Sequence, residues 1–282
     1  MLIQFLNGLQ LSMLLLLLAS GLSLIYGLMN FVNLAHGTLY MVGAYLGLTA
    51  FRLSGSFALA LLAGGVGTAL VGVVLYKTLF ERLQGANPVR QVLLTFGLIY
   101  VGLDAVRFIW GNDSHSIGAP AWLTGSVDIL GEPYPLYRLF VIATGLVVLA
   151  LLTLLLDHTR LGAAVRASVD HRDAAMCLGI DTDRLFLGVF ALGSLLAGLA
   201  GVIAAPVLSV FPGMDMQVLV LALIIVVVGG PGSLPGAALG SLLVGMADTF
   251  GRVFLPELAA FLMYAAVAVF LVFRPKGFVP IR

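Results

Sequence analysis

Long apolar runs separated by short polar stretches repeat along the chain of 282 residues. A membrane-spanning helix needs about 20 mostly apolar residues, and one group of runs approaches that length: 5–26, 57–79, 92–109, 139–156 and 185–207. A second group is shorter or interrupted: 38–51, 217–228, 236–250 and 258–273. The pattern predicts an all-α, polytopic membrane protein with about 8–10 transmembrane segments, nine by this count, in a single transmembrane domain over residues 1–282.

The short runs indicate half-helices that continue into non-helical backbone inside the membrane, which is tolerated only beside protein or a water-filled cavity. A polar interruption at residues 30–37 precedes the first of them. Asn33 and His36 would be expensive in hydrocarbon, so we expect them to face a partner or a water-filled path. The alternative is a short cytoplasmic turn. Because the stretch lacks Lys and Arg and Gly37 opens a short segment, we predict Asn33, His36 and Gly37 as translocation-pathway or gate residues.

A second interruption has the sequence GGPGSLPG at residues 229–236. Short or Gly/Pro-interrupted segments in both halves of a chain are typical of transporters built from repeats. No residue-by-residue repeat accompanies them here, so the pattern is only a hint of such an architecture.

Composition narrows the possible functions. Apolar residues make up 61% of the chain and charged residues 10%, against about 25% charged in a soluble domain. The net charge of +1 provides no basic field for nucleic acid, and the single cysteine rules out an internal disulfide. The sequence contains neither a phosphate-binding loop nor an H-E-x-x-H motif. We therefore expect no catalytic site, metal or cofactor in this chain, and ATP-driven transport would require another subunit.

Lys and Arg positions predict the orientation. Ten of the fourteen basic residues lie in 77–90, 157–184 and the tail after 273, whereas the 111–136 loop has none. The basic segments are expected in the cytoplasm, which with nine spans places the C-terminus inside and the N-terminus outside. Residues 1–26 loosely resemble a signal peptide, but they lack the basic start of one, so we interpret them as a retained first helix.

Ionisable residues at predicted helix ends are interpreted as snorkelling to the interface: Asp104, Arg107, Asp215, Asp248 and Arg252. The spacings of Asp104 with Arg107 and of Asp248 with Arg252 allow ion pairs on one helix face. The small-residue pairs Gly43/Gly47 and Gly236/Gly240 predict close helix contacts.

Two long loops differ in kind. The 111–136 loop is either an external connector or a docking surface for an external partner. The 157–184 loop reads as an alanine-rich amphipathic helix with charges of alternating sign, closed by Gly179. From composition alone, this loop would be a solvated helical face.

Three blocks of the sequence resemble the LivH-type permeases of branched-chain amino acid ABC transporters. The first is GLSLIYG at 21–27 with NLAHGTLYMVGAY at 33–45. The second runs through RLG at 160–162, RA at 166–167, DAA at 173–175 and GID at 179–181. The third comprises AGLAG at 197–201, the 229–236 run and FRPKG at 273–277.

This resemblance implies a bacterial inner-membrane subunit that moves Leu, Ile or Val by ATP-driven alternating access. Its implied partners are a LivM-like second permease, two ATPase subunits that carry the ATP and Mg, and a periplasmic binding protein. Related importers carry urea, short amides or aromatic acids, which remain alternatives. An ion-coupled secondary transporter and an intramembrane enzyme are disfavoured, because no acidic residue is expected deep in the membrane and no nucleophile–base pair is evident.

Within this resemblance, residues 157–184 become a cytoplasmic coupling loop. The DAA-x-x-x-G stretch is similar to the EAA-x-x-x-G motif of ABC permeases, with Asp in place of Glu and without the downstream Ile-x-Leu-Pro. The residues implied in ATPase coupling are Arg166, Arg172, Asp173, Ala174, Ala175 and Gly179.

Overall fold

A computed structural model describes residues 1–29, 31–83, 87–274 and 277–279. Nine helices match the nine predicted segments: α1 Leu2–Met29, α2 His36–Ser54, α3 Phe57–Leu75, α4 Pro88–Trp110, α5 Leu136–His158, α8 Thr182–Ala204, α9 Met214–Gly229, α10 Leu234–Phe254 and α11 Ala259–Phe273. Two short helices, α6 Arg160–Asp170 and α7 Arg172–Cys177, lie between α5 and α8. The strands β1 Ser126–Ile129 and β2 Glu132–Pro135 form an antiparallel hairpin. The all-α prediction is confirmed.

Six described helices are long and apolar enough to cross a bilayer: α1, α3 with its continuation to Leu83, α4, α5, α8 and α10. Helix α9 and the 263–273 part of α11 are shorter apolar helices. Large apolar side chains cover the outer faces of α3, α4 and α5, where Phe108 is 91% exposed. Such surfaces suit lipid rather than water.

Helix α1 lies inside the bundle and packs against α5, α8, α9 and α10. Its leucines 14–18 are all buried. A helix that is apolar on every face suits a position surrounded by other apolar helices. The first helix therefore forms the centre of the fold.

Glycines allow the central helices to approach closely. A Cβ on Gly43 would overlap the backbone of Gly198, and one on Gly47 would meet Val202 at 2.5 Å, so α2 lies directly against α8. On the other side of the bundle, Gly240 of α10 faces the backbone of Ile225 in α9. Both predicted small-residue pairs mark helix contacts, as expected for membrane helices that associate by close packing.

Two glycines of α8 provide a matched test of this packing. A Cβ on Gly201 would overlap the carbonyl oxygen of Tyr40, whereas one on Gly188 would meet nothing within 4 Å. We expect Gly201→Ala to lower the melting temperature of the purified protein, because overpacking costs about 1–3 kcal/mol. Gly188→Ala should raise it slightly, since alanine favours a helix over glycine by about 0.5–1 kcal/mol. Equal melting temperatures for the two variants would contradict the α2–α8 contact.

Helices α2 and α9 both begin in the interior of the bundle. The first turn of α2 is level with the middle of α1, because His36 contacts Leu18 there. Non-helical residues 31–35 precede α2, and non-helical residues 205–213 precede α9. Both helices therefore begin beside non-helical backbone, as the half-helix prediction expects, and the position of these breaks inside the membrane stays a prediction. The short segment predicted at 236–250 is instead part of α10, which is long and apolar enough to span a bilayer. The 229–236 run is instead a tight turn between α9 and α10, capped by Ser233, whose Oγ accepts from the N–H of Gly236 at 3.0 Å.

The described parts of the three basic segments gather at one end of the bundle, here called the basic end. Gln91 and Arg172 line one cavity there, and Arg166 and Val279 line another. The N–H groups of Phe278 and Val279 donate to the carbonyls of Val228 and Gly229 at 2.8 and 3.1 Å. Lys276, Arg282 and the polar Asn30 lie outside the described residues.

The opposite end, here called the hairpin end, carries β1, β2 and the N-terminal part of α1. Arg138 donates to the side-chain oxygen of Asn7, which fixes the start of α5 beside α1. At the hairpin tip, Leu130 has a left-handed φ of 54° and is 90% exposed. The start of α1 and the end of α11 therefore lie at opposite ends of the bundle.

Candidate functional site at a helix joint and the α6–α7 segment

Asn33 and His36 hold the start of α2 inside the bundle. The Asn33 side-chain oxygen accepts from the N–H of Ala35 at 3.1 Å, a local bond that closes the turn before the helix. Nε2 of His36 donates to the carbonyl oxygen of Leu18 at 3.1 Å and ties α2 to α1. Both side chains are fully buried within this subunit. Within this subunit both side chains stabilise the start of α2, and their role as pathway or gate residues stays a prediction.

The start of α9 meets the start of α2. A Cβ on Gly37 would lie 2.9 Å from both the Asp215 carbonyl oxygen and the Leu219 Cβ, so only glycine allows this approach. Next to it, Thr38 Oγ1 donates to Asp215 Oδ2 at 3.3 Å. Gly213, with a left-handed φ of 97°, turns the chain into α9. We call this contact between the first turns of α2 and α9 the helix joint.

The snorkelling interpretation is wrong for Asp215, because this residue is only 1% exposed. A helix end normally marks the membrane surface, but α9 begins in the interior, so its first turn is buried. The partial positive charge at a helix N-terminus stabilises a carboxylate in the first turn. Asp104 is exposed and pairs with Arg107 at 3.6 Å, as expected. Asp248 forms its expected pair with Arg252 at 2.9 Å, but at 7% exposure it is buried, so the snorkelling interpretation is wrong for this residue as well.

Three buried polar atoms in the helix joint and in the turn just before α2 have no hydrogen-bond partner among the described residues: Asn33 Nδ2, His36 Nδ1 and Asp215 Oδ1. Buried polar groups in proteins are nearly always paired. A cluster of unpaired groups where two helices begin marks a place suited to water, substrate or a second conformation. Sequence reasoning found Asn33 and His36 from their polarity but missed the depth of Asp215.

His36→Leu tests the bond from α2 to α1. Removing a buried donor costs about 0.5–1.5 kcal/mol, so we expect a melting temperature a few degrees lower and slower uptake. His36→Gln, which retains a side-chain N–H, serves as the partner variant and should lie between wild type and His36→Leu. Uptake by His36→Leu at the wild-type rate would remove His36 from the pathway or gate residues.

The α6–α7 segment connects α5 to α8 through two short helices whose ends are fixed by local hydrogen bonds. Thr159 caps α6, with its Oγ1 accepting from the N–H of Gly162 at 3.2 Å, and extended His171 separates the two helices. Gly179 ends α7 with a left-handed φ of 82°, and the N–H of Ile180 returns to the carbonyl of Ala175 at 3.1 Å. Glycine is favoured there by the backbone conformation.

Two of the three arginines of the segment, Arg166 and Arg172, contact the ends of the neighbouring long helices. Arg166 donates to the Leu156 carbonyl and lies 3.7 Å from Asp157. Arg172 pairs with Asp183 at 3.1 Å and lies 4.7 Å above the Phe186 ring. These contacts fasten the segment to the ends of α5 and α8, so motion of the segment would be transmitted to both helices.

The alanines of the motif point in different directions. Ala175 is buried inside the subunit, whereas Asp173, Ala174 and Gly179 are exposed. The structure also exposes apolar side chains that sequence reasoning missed: Leu161, Met176 and Leu178, of which Leu178 is 81% exposed. Apolar side chains exposed outside the membrane-spanning runs are available for contact with a partner protein. In the sequence, the one sign of these exposed side chains is that they lie outside the long apolar runs.

The sequence profile of a protein family described as branched-chain amino acid transport system, permease component, matches residues 4–272. The chain is 29% identical to the high-affinity branched-chain amino acid transport system permease protein BraD of Pseudomonas aeruginosa, over 97% of this chain and 94% of that protein. It is 28% identical to LivH of Escherichia coli K12 with the same coverage. A probable LivH of Methanocaldococcus jannaschii is 29% identical over 91% of this chain and 83% of that protein. No solved structure matches.

Proposed function

Since this chain belongs to the family of branched-chain amino acid transport system permease components, matched over residues 4–272, we propose that it is the membrane subunit of an ATP-driven importer for Leu, Ile and Val. The importer would lie in the bacterial inner membrane. Its other subunits would be a LivM-like permease, two ATPases and a periplasmic binding protein. One observation carries the proposal: the chain matches, along almost its whole length, relatives that are named for branched-chain amino acid transport.

The α6–α7 segment supports coupling to an ATPase. It lies at the basic end, between α5 and α8, and presents Ala174, Met176 and Leu178 outward. A short helix with exposed apolar side chains fits a groove on a partner protein. Closure of two ATPases would then move the segment as a rigid body and shift α5 and α8 with it.

The distribution of charge supports a cytoplasmic location of the basic end, because Lys and Arg are retained on that side of the membrane. The hairpin end then faces the periplasm, where the acidic loop with Asp128 and Glu132 meets the binding protein. This orientation places the N-terminus outside and the C-terminus inside. The coupling residues Arg166, Arg172, Asp173, Ala174, Ala175 and Gly179 all lie on the cytoplasmic side.

The proposal is tested by purifying the tagged chain from its native host in mild detergent and identifying its partners by mass spectrometry. We expect an ATPase and a second permease, and reconstituted complex with a binding protein should take up labelled leucine only with ATP. Uptake of urea or an amide in place of leucine would reassign the substrate. Recovery of the chain alone, in stable form, would overturn the importer proposal.

A second candidate function follows from Asp215. A buried carboxylate among membrane helices is typical of an ion-coupled carrier, and its depth removes the sequence-based argument against that class. An ion-coupled carrier would take up substrate in ATP-free vesicles when a proton or sodium gradient is imposed. Uptake that depends on ATP alone would eliminate this candidate.

A further inference from the structure

A cavity of about 300 Å³ lies at the basic end, between α6 and the turn that joins α9 to α10. The ends of α1 and α5, one face of α6, residues 232–235 and Val279 line it. We call it the α6 cavity. Small-molecule sites typically enclose about 300–1,000 Å³. The α6 cavity is at the lower end of that range, which suits a ligand of the size of one amino acid.

The walls of the α6 cavity are mainly aliphatic. They include Leu24, Leu156, Val165, Val169 and Leu234. Branched aliphatic walls favour a branched aliphatic ligand, because burying each methylene contributes about 0.8 kcal/mol. Thr153 of α5 and Ser233 at the start of α10 also line the cavity, and each hydroxyl forms a hydrogen bond within its own helix.

One cation and one anion, Arg166 and Asp157, also line this cavity. Arg166 Nη1 and Asp157 Oδ1 are 3.7 Å apart, and both side chains are about half exposed, at 52% and 57%. This pair is long and accessible, and pairs of that kind contribute little stability. Arg166 Nη1 also donates to the Leu156 carbonyl, so a ligand would use the other N–H groups of the guanidinium. A guanidinium carries five N–H donors and binds a carboxylate through two of them. Asp157 is placed to accept from an ammonium group.

Together these features match a zwitterion with an aliphatic side chain. We propose that the α6 cavity is a regulatory site for a branched aliphatic amino acid, in which Arg166 binds the carboxylate and Asp157 the ammonium group. The inference rests on the proposed function for the identity of the ligand and for the cytoplasmic side. A ligand there would bridge α6 to α10 and oppose movement of the α6–α7 segment. Accumulated product would then slow its own import.

Calorimetric titration of the purified complex, without binding protein, tests the site directly. We expect leucine to bind, and its α-keto acid and isopentylamine, each lacking one charged group, to bind at least about tenfold more weakly. Arg166→Gln and Asp157→Asn should each weaken leucine binding by a similar factor. Thr153→Phe, which fills the cavity from α5, should abolish it. No leucine binding, or binding unchanged in all three variants, would overturn the inference.

Proteoliposomes loaded with ATP and unlabelled leucine on the ATPase side test regulation. Internal leucine should slow uptake of labelled leucine severalfold in the wild type but not in Thr153→Phe, whose uptake into leucine-free vesicles should be normal. Equal inhibition of the two proteins would overturn the inference and leave the importer intact. Absence of leucine uptake even into leucine-free vesicles would instead overturn the proposed function, while the titration still decides whether the cavity binds leucine.

Discussion

Leu178→Asp is expected to release the ATPase subunits from this permease and to abolish ATP-driven uptake. Leu178 is 81% exposed at the end of α7, so a charge there leaves the fold of the subunit undisturbed. A central contact of a protein interface is worth about 2 kcal/mol or more, which corresponds to roughly 30-fold weaker association. Copurification of the ATPases with the tagged permease measures the effect, and labelled leucine uptake measures its consequence.

Leu130→Asp is the matched control, because Leu130 is 90% exposed at the hairpin end. It introduces the same charge on the opposite side of the membrane and should retain the ATPases in full. Ala175 is less suited to this test, since it is buried and a charge there would disturb the packing of α7 itself. Retention of the ATPases by Leu178→Asp would show that α7 does not dock through this side chain.

Asp215→Leu is expected to reduce uptake at least about tenfold and to lower the melting temperature of the complex. The change removes the acceptor of the Thr38 hydroxyl, and a bond to a charged group is worth about 1.5–3 kcal/mol. It also removes the favourable interaction between the carboxylate and the positive N-terminal end of the α9 dipole, an interaction worth about 0.3–2 kcal/mol. Asp215→Asn retains an acceptor but not the charge, so it should fall between wild type and Asp215→Leu in both measurements.

Asp104→Leu is the control for loss of a membrane-end carboxylate. Asp104 lies in a surface pair with Arg107, and such pairs contribute about 0–1 kcal/mol. Its uptake and melting temperature should therefore match the wild type. If Asp215→Leu behaved in the same way as Asp104→Leu, the helix joint would have no role in stability or transport.

Local features of the chain were predictable from sequence. Apolar runs located each of the nine helices α1–α5 and α8–α11, because a segment without charged side chains is stable only in lipid or against other apolar helices. The spacing of Asp248 and Arg252 predicted an ion pair, since residues four apart lie on one helix face. Gly43 and Gly47 predicted a close helix contact, because the absence of a side chain is itself the signal.

The α6–α7 segment could be predicted only in part. Its amphipathic pattern and the glycine at its end were visible in the sequence, and the resemblance gave it a role. Which alanine faces outward depended on the break at His171, whose extended backbone rotates α7 relative to α6. A single residue with non-helical backbone angles changes the direction of every side chain that follows. The helical periodicity of the sequence gives no sign of such a break.

The sequence by itself determined that this is a polytopic α-helical membrane protein, because hydropathy and local spacing act within one segment, and the resemblance of three sequence blocks pointed to the branched-chain amino acid permeases. Only the tertiary structure decided that α2 and α9 begin in the interior, that Asp215 is buried there, and that Arg166 and Asp157 line an apolar cavity. Those outcomes depend on contacts between residues far apart in the chain, such as Thr38 with Asp215, and the depth of a side chain is set by the helices that surround it.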